Sequence, residues 1–175
     1  MAQASPRIFF IAGPNGAGKT SLSAQLLDSA VGDWHFVNAD RIAAGLETRG
    51  APGSDVQAAR LMIEEIDRLT ELRADIAIET TLSVRVYGTR IPRWRAAGYH
   101  VSLTFLRLAS VDVAIQRVAE RVSQGGHGIP GAVIRRRFRR GLVNFECVYK
   151  PLVDKWLEID STGPDPVEVE RGSNS

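Results

Sequence analysis

The sequence predicts an α/β domain in three layers, with a mostly parallel sheet of roughly five to six strands covered by helices on both faces. Three observations predict it. Short apolar runs recur along the chain, and amphipathic stretches of helical period lie between them. Strands that alternate with helices pair in parallel and are buried on both sides. The first apolar run leads straight into a glycine loop, GPNGAGKT, which opens a helix. At 175 residues the chain can bury one sizeable core, so residues 1–175 are read as a single domain.

The elements follow in order. RIFFIA, from Arg7 to Ala12, is the first strand, and TSLSAQLLDSA after the glycine loop is helical. HFVNA, from His35 to Ala39, is the second strand. Ser54 can cap a helix reaching Leu72, with Ala58, Leu61, Met62, Ile66 and Leu69 as its apolar stripe. DIAIE, from Asp75 to Glu79, and YHVSLTFLRL, from Tyr99 to Leu108, are the third and fourth strands. Ser110 caps a helix from Val111 to about Gln124, and Pro130 starts another with Ile134, Phe138, Leu142 and Phe145 on one face. WLEID, from Trp156 to Asp160, is the fifth strand. GPDPVEVERGSNS adds a short edge strand and then frays over residues 171–175.

Composition excludes several classes. No apolar run approaches the roughly twenty residues of a membrane span, so no membrane partner is expected. The apolar stretch in MAQASPRIFFIAGPNG is too short, and too soon interrupted by glycine, for a signal peptide. Cys147 is the single cysteine, which excludes an internal disulfide and fits a reducing, cytoplasmic setting; it reads as a small buried apolar residue.

GPNGAGKT carries the chemistry. Gly13, Pro14, Asn15, Gly16, Ala17 and Gly18 curl so that successive backbone N–H groups meet phosphate oxygens, and the helix start at Ser21 adds its positive dipole end. Lys19 reaches the β- and γ-phosphates and Thr20 ligates Mg²⁺. No guanine-reading NKxD segment is present, so ATP is the expected nucleotide. Two acids follow short strands: NADR supplies Asp40 and Arg41, and IETTLS supplies Glu79 and Thr80. Ligands of open parallel sheets bind beyond the carboxyl ends of the strands, where an acid can take the proton of an attacking hydroxyl. The plainer alternatives are a helix cap for Asp40 and a solvated strand end for Glu79.

RVSQGGHGIPGAVIRRRFRR holds six arginines and no acid, in a chain of formal net charge +2. Arg117 and Arg121 have the Arg-x₃-Arg spacing of the lid in many small-molecule kinases built on a phosphate loop, and residues four apart share a helix face. By that resemblance residues 117–140 are the lid region, Arg117 lies against adenine, and Arg121 reaches the phosphates. Arginine suits a transferring phosphoryl group, whose charge spreads over its equatorial oxygens. The basic helix lacks the interleaved aromatic residues of single-strand binders, which argues against a nucleic-acid partner.

FIAGPNGAGKTSLS, FVNADRIAAGL, IETTLS, RVAERVSQGGHGIP and VIRRRFRRGL together resemble the zeta toxin family of phosphate-loop kinases, in its compact bacterial branch, from about Arg7 to Gly163. The resemblance implies an ATP- and Mg²⁺-dependent kinase that phosphorylates a hydroxyl of UDP-N-acetylglucosamine and is restrained by an antitoxin protein. By position it makes Lys19 and Thr20 the phosphate and metal residues, Asp40 the general base, and Arg121 the first lid arginine. Glu79 and Thr80 fall in the sugar-nucleotide pocket, beside Asp40 and Arg41. Larger family toxins carry a second catalytic arginine where this chain has His127, so either His127 serves weakly in its place or a return-helix arginine such as Arg135, Arg136 or Arg139 supplies the charge, with Arg136 named as catalytic. Two other readings stay open: a kinase of another small hydroxyl metabolite without a toxin role, and a non-catalytic nucleotide- or nucleic-acid-binding module.

Overall fold

The computed structural model describes residues 5–29, 33–38, 42, 55–126 and 128–174. Six strands form one sheet in the order β2-β3-β1-β4-β5-β6. They are β1 (Arg7–Ala12), β2 (Trp34–Asn38), β3 (Asp75–Thr80), β4 (His100–Arg107), β5 (Lys155–Asp160) and β6 (Val167–Ser173). The first five are parallel and β6 returns antiparallel along β5. The helices are α1 (Lys19–Ser29), α2 (Asp55–Glu71), α3 (Ile91–Ala96), α4 (Val111–Ser123) and α5 (Gly131–Asn144), which runs into a wide π turn at Phe145–Tyr149. Strand ends lie within a residue of those expected. Helix α3, opened by Pro92 in its first turn, had no assigned place in the sequence reading.

Alternation along the strands builds two cores. Ile8 and Phe10 of β1, with Ile76, Ile78, Val101, Leu103 and Phe105, meet Met62, Ile66 and Leu69 of α2, together with Ile91 and Trp94 of α3. The opposite face gathers Leu106, Leu108, Ala114, Val118 and Ile134. Helix α5 contributes Ile134 to the second core, while Leu142 and Phe145 reach the first, so it passes over the carboxyl ends of the strands. Phe145 stacks on Phe105 with ring centroids 4.3 Å apart. The Ser110 hydroxyl accepts from the Val113 amide, as its cap position requires. Ser54 lies outside the described residues.

Three details differ from the sequence reading. The buried side of α5 is Ile134, Gly141 and Asn144, and Phe138 and Leu142 are only half-buried. The reason is a close approach: a Cβ on Gly141 would run into the Thr81 carbonyl oxygen. Asn144 locks the same contact, donating to the Leu82 carbonyl at 2.7 Å and accepting from Arg85 Nε at 2.9 Å. Second, Cys147 is exposed, because the π turn buries Phe145 and Tyr149 at its ends and turns Glu146 and Cys147 outward. Third, the tail is held: β6 runs to Ser173, and Asn174 bonds the carbonyls of Lys150 and Val153 at 2.7 and 2.8 Å.

Gly141→Ala is therefore expected to lower stability by about 1–3 kcal/mol through overpacking against backbone, read as a lower urea midpoint with an unchanged m-value. Alkaline pH gives a second expected result. Burial pushes the Tyr87 phenol up from 10.0 to about 12, and it raises Tyr149 as well. Above pH 10 the unfolded chain releases phenolic protons that the folded chain retains, so stability falls as pH rises toward 12. Tyr87 accounts for a loss on the order of 2 kcal/mol across that window. Urea unfolding from pH 9 to 12 should show a shallower decline for Tyr87→Phe than for the native chain.

Candidate active site

The glycine loop follows β1 and closes onto α4 and β4. Gly13 adopts φ 144°, and a Cβ there would meet the Leu106 carbonyl oxygen, so only glycine fits this exit from the strand. The far side of the loop is pinned from two elements. Arg117 of α4 donates to the Gly16 carbonyl at 3.2 Å and to the Thr162 carbonyl at 2.8 Å. The Ser161 hydroxyl, just beyond β5, donates to the Ala17 carbonyl at 2.7 Å. Arg117 thus joins the loop to the segment after β5.

Lys19 opens α1 and is 8 % exposed. Its Nζ donates to the Pro14 carbonyl at 3.0 Å, folding the side chain back over the loop. The Thr20 hydroxyl donates to the Glu79 carboxylate, 3.1 and 3.3 Å from its two oxygens. Ser23 Oγ donates to the Lys19 carbonyl at 2.8 Å and lies 3.5 Å from Glu79 Oε2. Glu79 reaches this position because β3 lies beside β1 and carries its carboxylate to the start of α1. The buried Asn15 Oδ1 has no hydrogen-bond partner among the described residues, so the loop's rim keeps an unused polar atom.

A cleft of about 590 Å³ opens from this cluster. Lys19, Glu79, Thr80 and Asn15 line one end, and Met62, Ile63 and Val86 supply an apolar wall. Asn38 at the end of β2 and Tyr87 also face it. A cleft with a few convergent polar groups on an apolar wall is the usual form of a small-molecule site. The Thr20 hydroxyl and Glu79 carboxylate are adjacent hard oxygen donors, the chemistry Mg²⁺ takes when it shares its shell with substrate phosphates and water. Among the described residues no group of three or more His, Cys, Asp or Glu could hold a metal ion.

The expected site residues are not all gathered here. Lys19, Thr20, Glu79, Thr80 and the loop residues converge. Asp40, Arg41 and His127 lie outside the described residues. Arg121 is exposed in the last turn of α4, where its carbonyl accepts from the Gly126 amide at 2.9 Å, and it does not line the cleft. Arg135 pairs with Asp112 at 3.3 Å. Arg136, named as the catalytic arginine of the return helix, is exposed and lines none of this cleft; Arg137 does line it and is half-buried. Arg137 follows Ile134 by three residues and precedes Gly141 by four, so it shares their buried face. The sequence already sets Arg137 beside the apolar stripe, but which side of the helix meets the cleft is decided by the fold.

Residues 1–152 match the zeta toxin family. The chain belongs to the zeta toxin family. A Haemophilus influenzae protein of uncharacterized function is 24 % identical to this zeta toxin domain over 132 residues, 75 % of this chain and 92 % of that one. The chain superposes on a protein of the PezAT chromosomal toxin-antitoxin system of Streptococcus pneumoniae with a TM-score of 0.67 at 16 % identity, covering 98 % of this chain and 73 % of that one. It also superposes on AvrRxo1-ORF1:-ORF2 with ATP, at a TM-score of 0.68 and 20 % identity over 95 % of this chain. A gluconokinase from Sinorhizobium meliloti gives 0.58 at 16 % identity, covering 91 % of this chain and 85 % of that one. This zeta toxin domain spans just over half, 58 %, of the AvrRxo1 chain it matches. The three structural likenesses establish the fold, a mostly parallel α/β sheet of the P-loop kinase type. Family and fold together support an ATP-dependent P-loop kinase. Among the described residues no helix is long and apolar enough to cross a membrane.

Proposed function

We propose that the protein is a cytoplasmic kinase that transfers the γ-phosphate of ATP to a hydroxyl of a nucleotide sugar such as UDP-N-acetylglucosamine, and that a partner antitoxin restrains it. The observation that carries this reading is the contact of Thr20 with Glu79 beside Lys19, at the mouth of a cleft large enough for an acceptor. The glycine loop holds the triphosphate through its backbone N–H groups, with Arg117 fixing the loop's outer edge. Lys19 leaves the Pro14 carbonyl for the β- and γ-phosphates. Thr20 and Glu79 are the residues that would hold a Mg²⁺ ion bound with the nucleotide, which would supply charge neutralisation at the phosphates.

The acceptor hydroxyl lies against Glu79 and Thr80, and its oxygen attacks the γ-phosphorus as the bond to the ADP oxygen breaks. Asp40 takes the hydroxyl proton and ADP leaves with the electron pair. Arg121 approaches the phosphates as the lid closes, and Arg137, already in the cleft wall, takes the return-helix role. Substrate-stimulated ATP consumption, measured across nucleotide sugars and simple alcohols, tests the reading. UDP-N-acetylglucosamine should stimulate ADP release. Stimulation only by a nucleotide-free alcohol would replace the nucleotide sugar with another metabolite, and no stimulation by any would overturn the kinase reading.

A further inference from the structure

Ser161 and Thr162 follow β5, past the residues that carry the family match. Three hydrogen bonds fix this segment. The Ser161 amide donates to the Arg107 carbonyl at 3.0 Å, and the Thr162 amide to Asp160 Oδ1 at 2.8 Å. The Thr162 hydroxyl accepts from the Ala109 amide at 2.8 Å. From this anchored segment one buried side chain reaches back to the glycine loop. Ser161 is 7 % exposed, and its Oγ donates to the Ala17 carbonyl at 2.7 Å.

The Ala17 carbonyl shares a peptide plane with the Gly18 amide. Every peptide bond of the described chain is trans, so the carbonyl and the N–H of that plane point in opposite directions. Ser161 holds the carbonyl on the outer side of the loop, which turns the Gly18 N–H toward the inner side. Gly18 stands at φ 85°, and a Cβ on it would meet nothing within 4 Å. Glycine takes either sign of φ at little cost, so packing at Gly18 does not resist reversal of the plane. The preceding plane is held differently. The Gly16 carbonyl accepts from Arg117, and the Ala17 amide closes a turn on the Pro14 carbonyl at 3.2 Å.

We propose that Ser161 is a positioning residue for the nucleotide: its hydroxyl keeps the Gly18 N–H aimed at the triphosphate and so sets the loop's affinity for phosphate oxygens. The proposal rests on the kinase reading. It adds a residue far from the loop in sequence that prepares the loop before the nucleotide arrives. A donor already aimed costs no reorientation on binding. A plane free to reverse presents its carbonyl oxygen to the anion part of the time, and that contact is repulsive.

Calorimetric binding to the full chain tests this, with inorganic tripolyphosphate and a non-hydrolysable ATP analogue as probes, each with Mg²⁺. The native chain is compared with Ser161→Ala, with Ser161→Thr, which keeps the hydroxyl, and with Ser110→Ala. Ser110→Ala removes the cap of α4 and controls for lost stability. Ser161→Ala should weaken both probes about fivefold, the worth of one net hydrogen bond, while Ser161→Thr and Ser110→Ala stay within about twofold of native. Native affinity for tripolyphosphate in Ser161→Ala would overturn the proposal, even if the ATP analogue weakened, because the segment would then act on the base and not on the phosphates. An equal loss in Ser110→Ala would also overturn it, since the effect would follow stability, and so would a Ser161→Thr variant as weak as Ser161→Ala. Failure of the native chain to bind either probe would overturn the kinase reading, and the positioning role with it.

Discussion

Lys19→Ala is expected to yield a folded protein that no longer transfers phosphate, with turnover reduced on the order of a thousandfold. Lys19 is buried, and its Nζ donates to a carbonyl of its own loop, 3.0 Å away at Pro14. The hydrogen bond is a net contribution of about 1 kcal/mol, small beside the charge stabilisation the ammonium gives a phosphoryl group in a site shielded from water. Single-turnover kinetics at saturating ATP, beside a urea melt of the same sample, separates the two effects. A rate within a few-fold of native, with the melt unchanged, would show that the loop binds no triphosphate productively.

Glu79→Gln is the second large effect. Glutamine has nearly the same shape and can still accept from the Thr20 hydroxyl, so the contact between β3 and α1 survives. What is lost is the negative charge, which a hard divalent cation needs and a neutral amide does not supply. Turnover should fall roughly a hundredfold, and the Mg²⁺ concentration for half-maximal rate should rise, while nucleotide binding measured without Mg²⁺ changes little. A variant that loses stability but keeps its rate and its Mg²⁺ response would make Glu79 a partner for the start of α1 and nothing more. Arg137→Ala belongs beside it: its loss should exceed that of Arg136→Ala, since only Arg137 lines the cleft.

The zeta toxin resemblance rested on an ordered set of short motifs, and the family match over residues 1–152 agrees with it. Strands β1 to β5 were legible because each is an apolar run, and GPNGAGKT because its residue types have few other uses at that spacing. Helix α3 was missed because six residues with a proline and three charged or aromatic side chains give too short a period to read. Arg137 borders the apolar stripe of Ile134, Phe138, Leu142 and Phe145, which points to packing through its aliphatic stem; that this side of the helix lines the cleft is decided by the fold.

The amino-acid order alone determined the alternation of strands and helices, the glycine loop with Lys19 and Thr20, and the clustering of arginine on either side of the GGHGIP segment, since each depends on neighbours along the chain. The tertiary structure decided which groups from distant segments meet. It brought Glu79, 59 residues away, to Thr20, because β3 chose β1 as its parallel neighbour. It turned α5 so that a glycine and an asparagine face inward, because the backbone at Thr81 and Leu82 leaves room for no side chain at residue 141 and offers a carbonyl to residue 144. That rotation, a matter of steric fit and one buried amide, places Arg137 in the cleft.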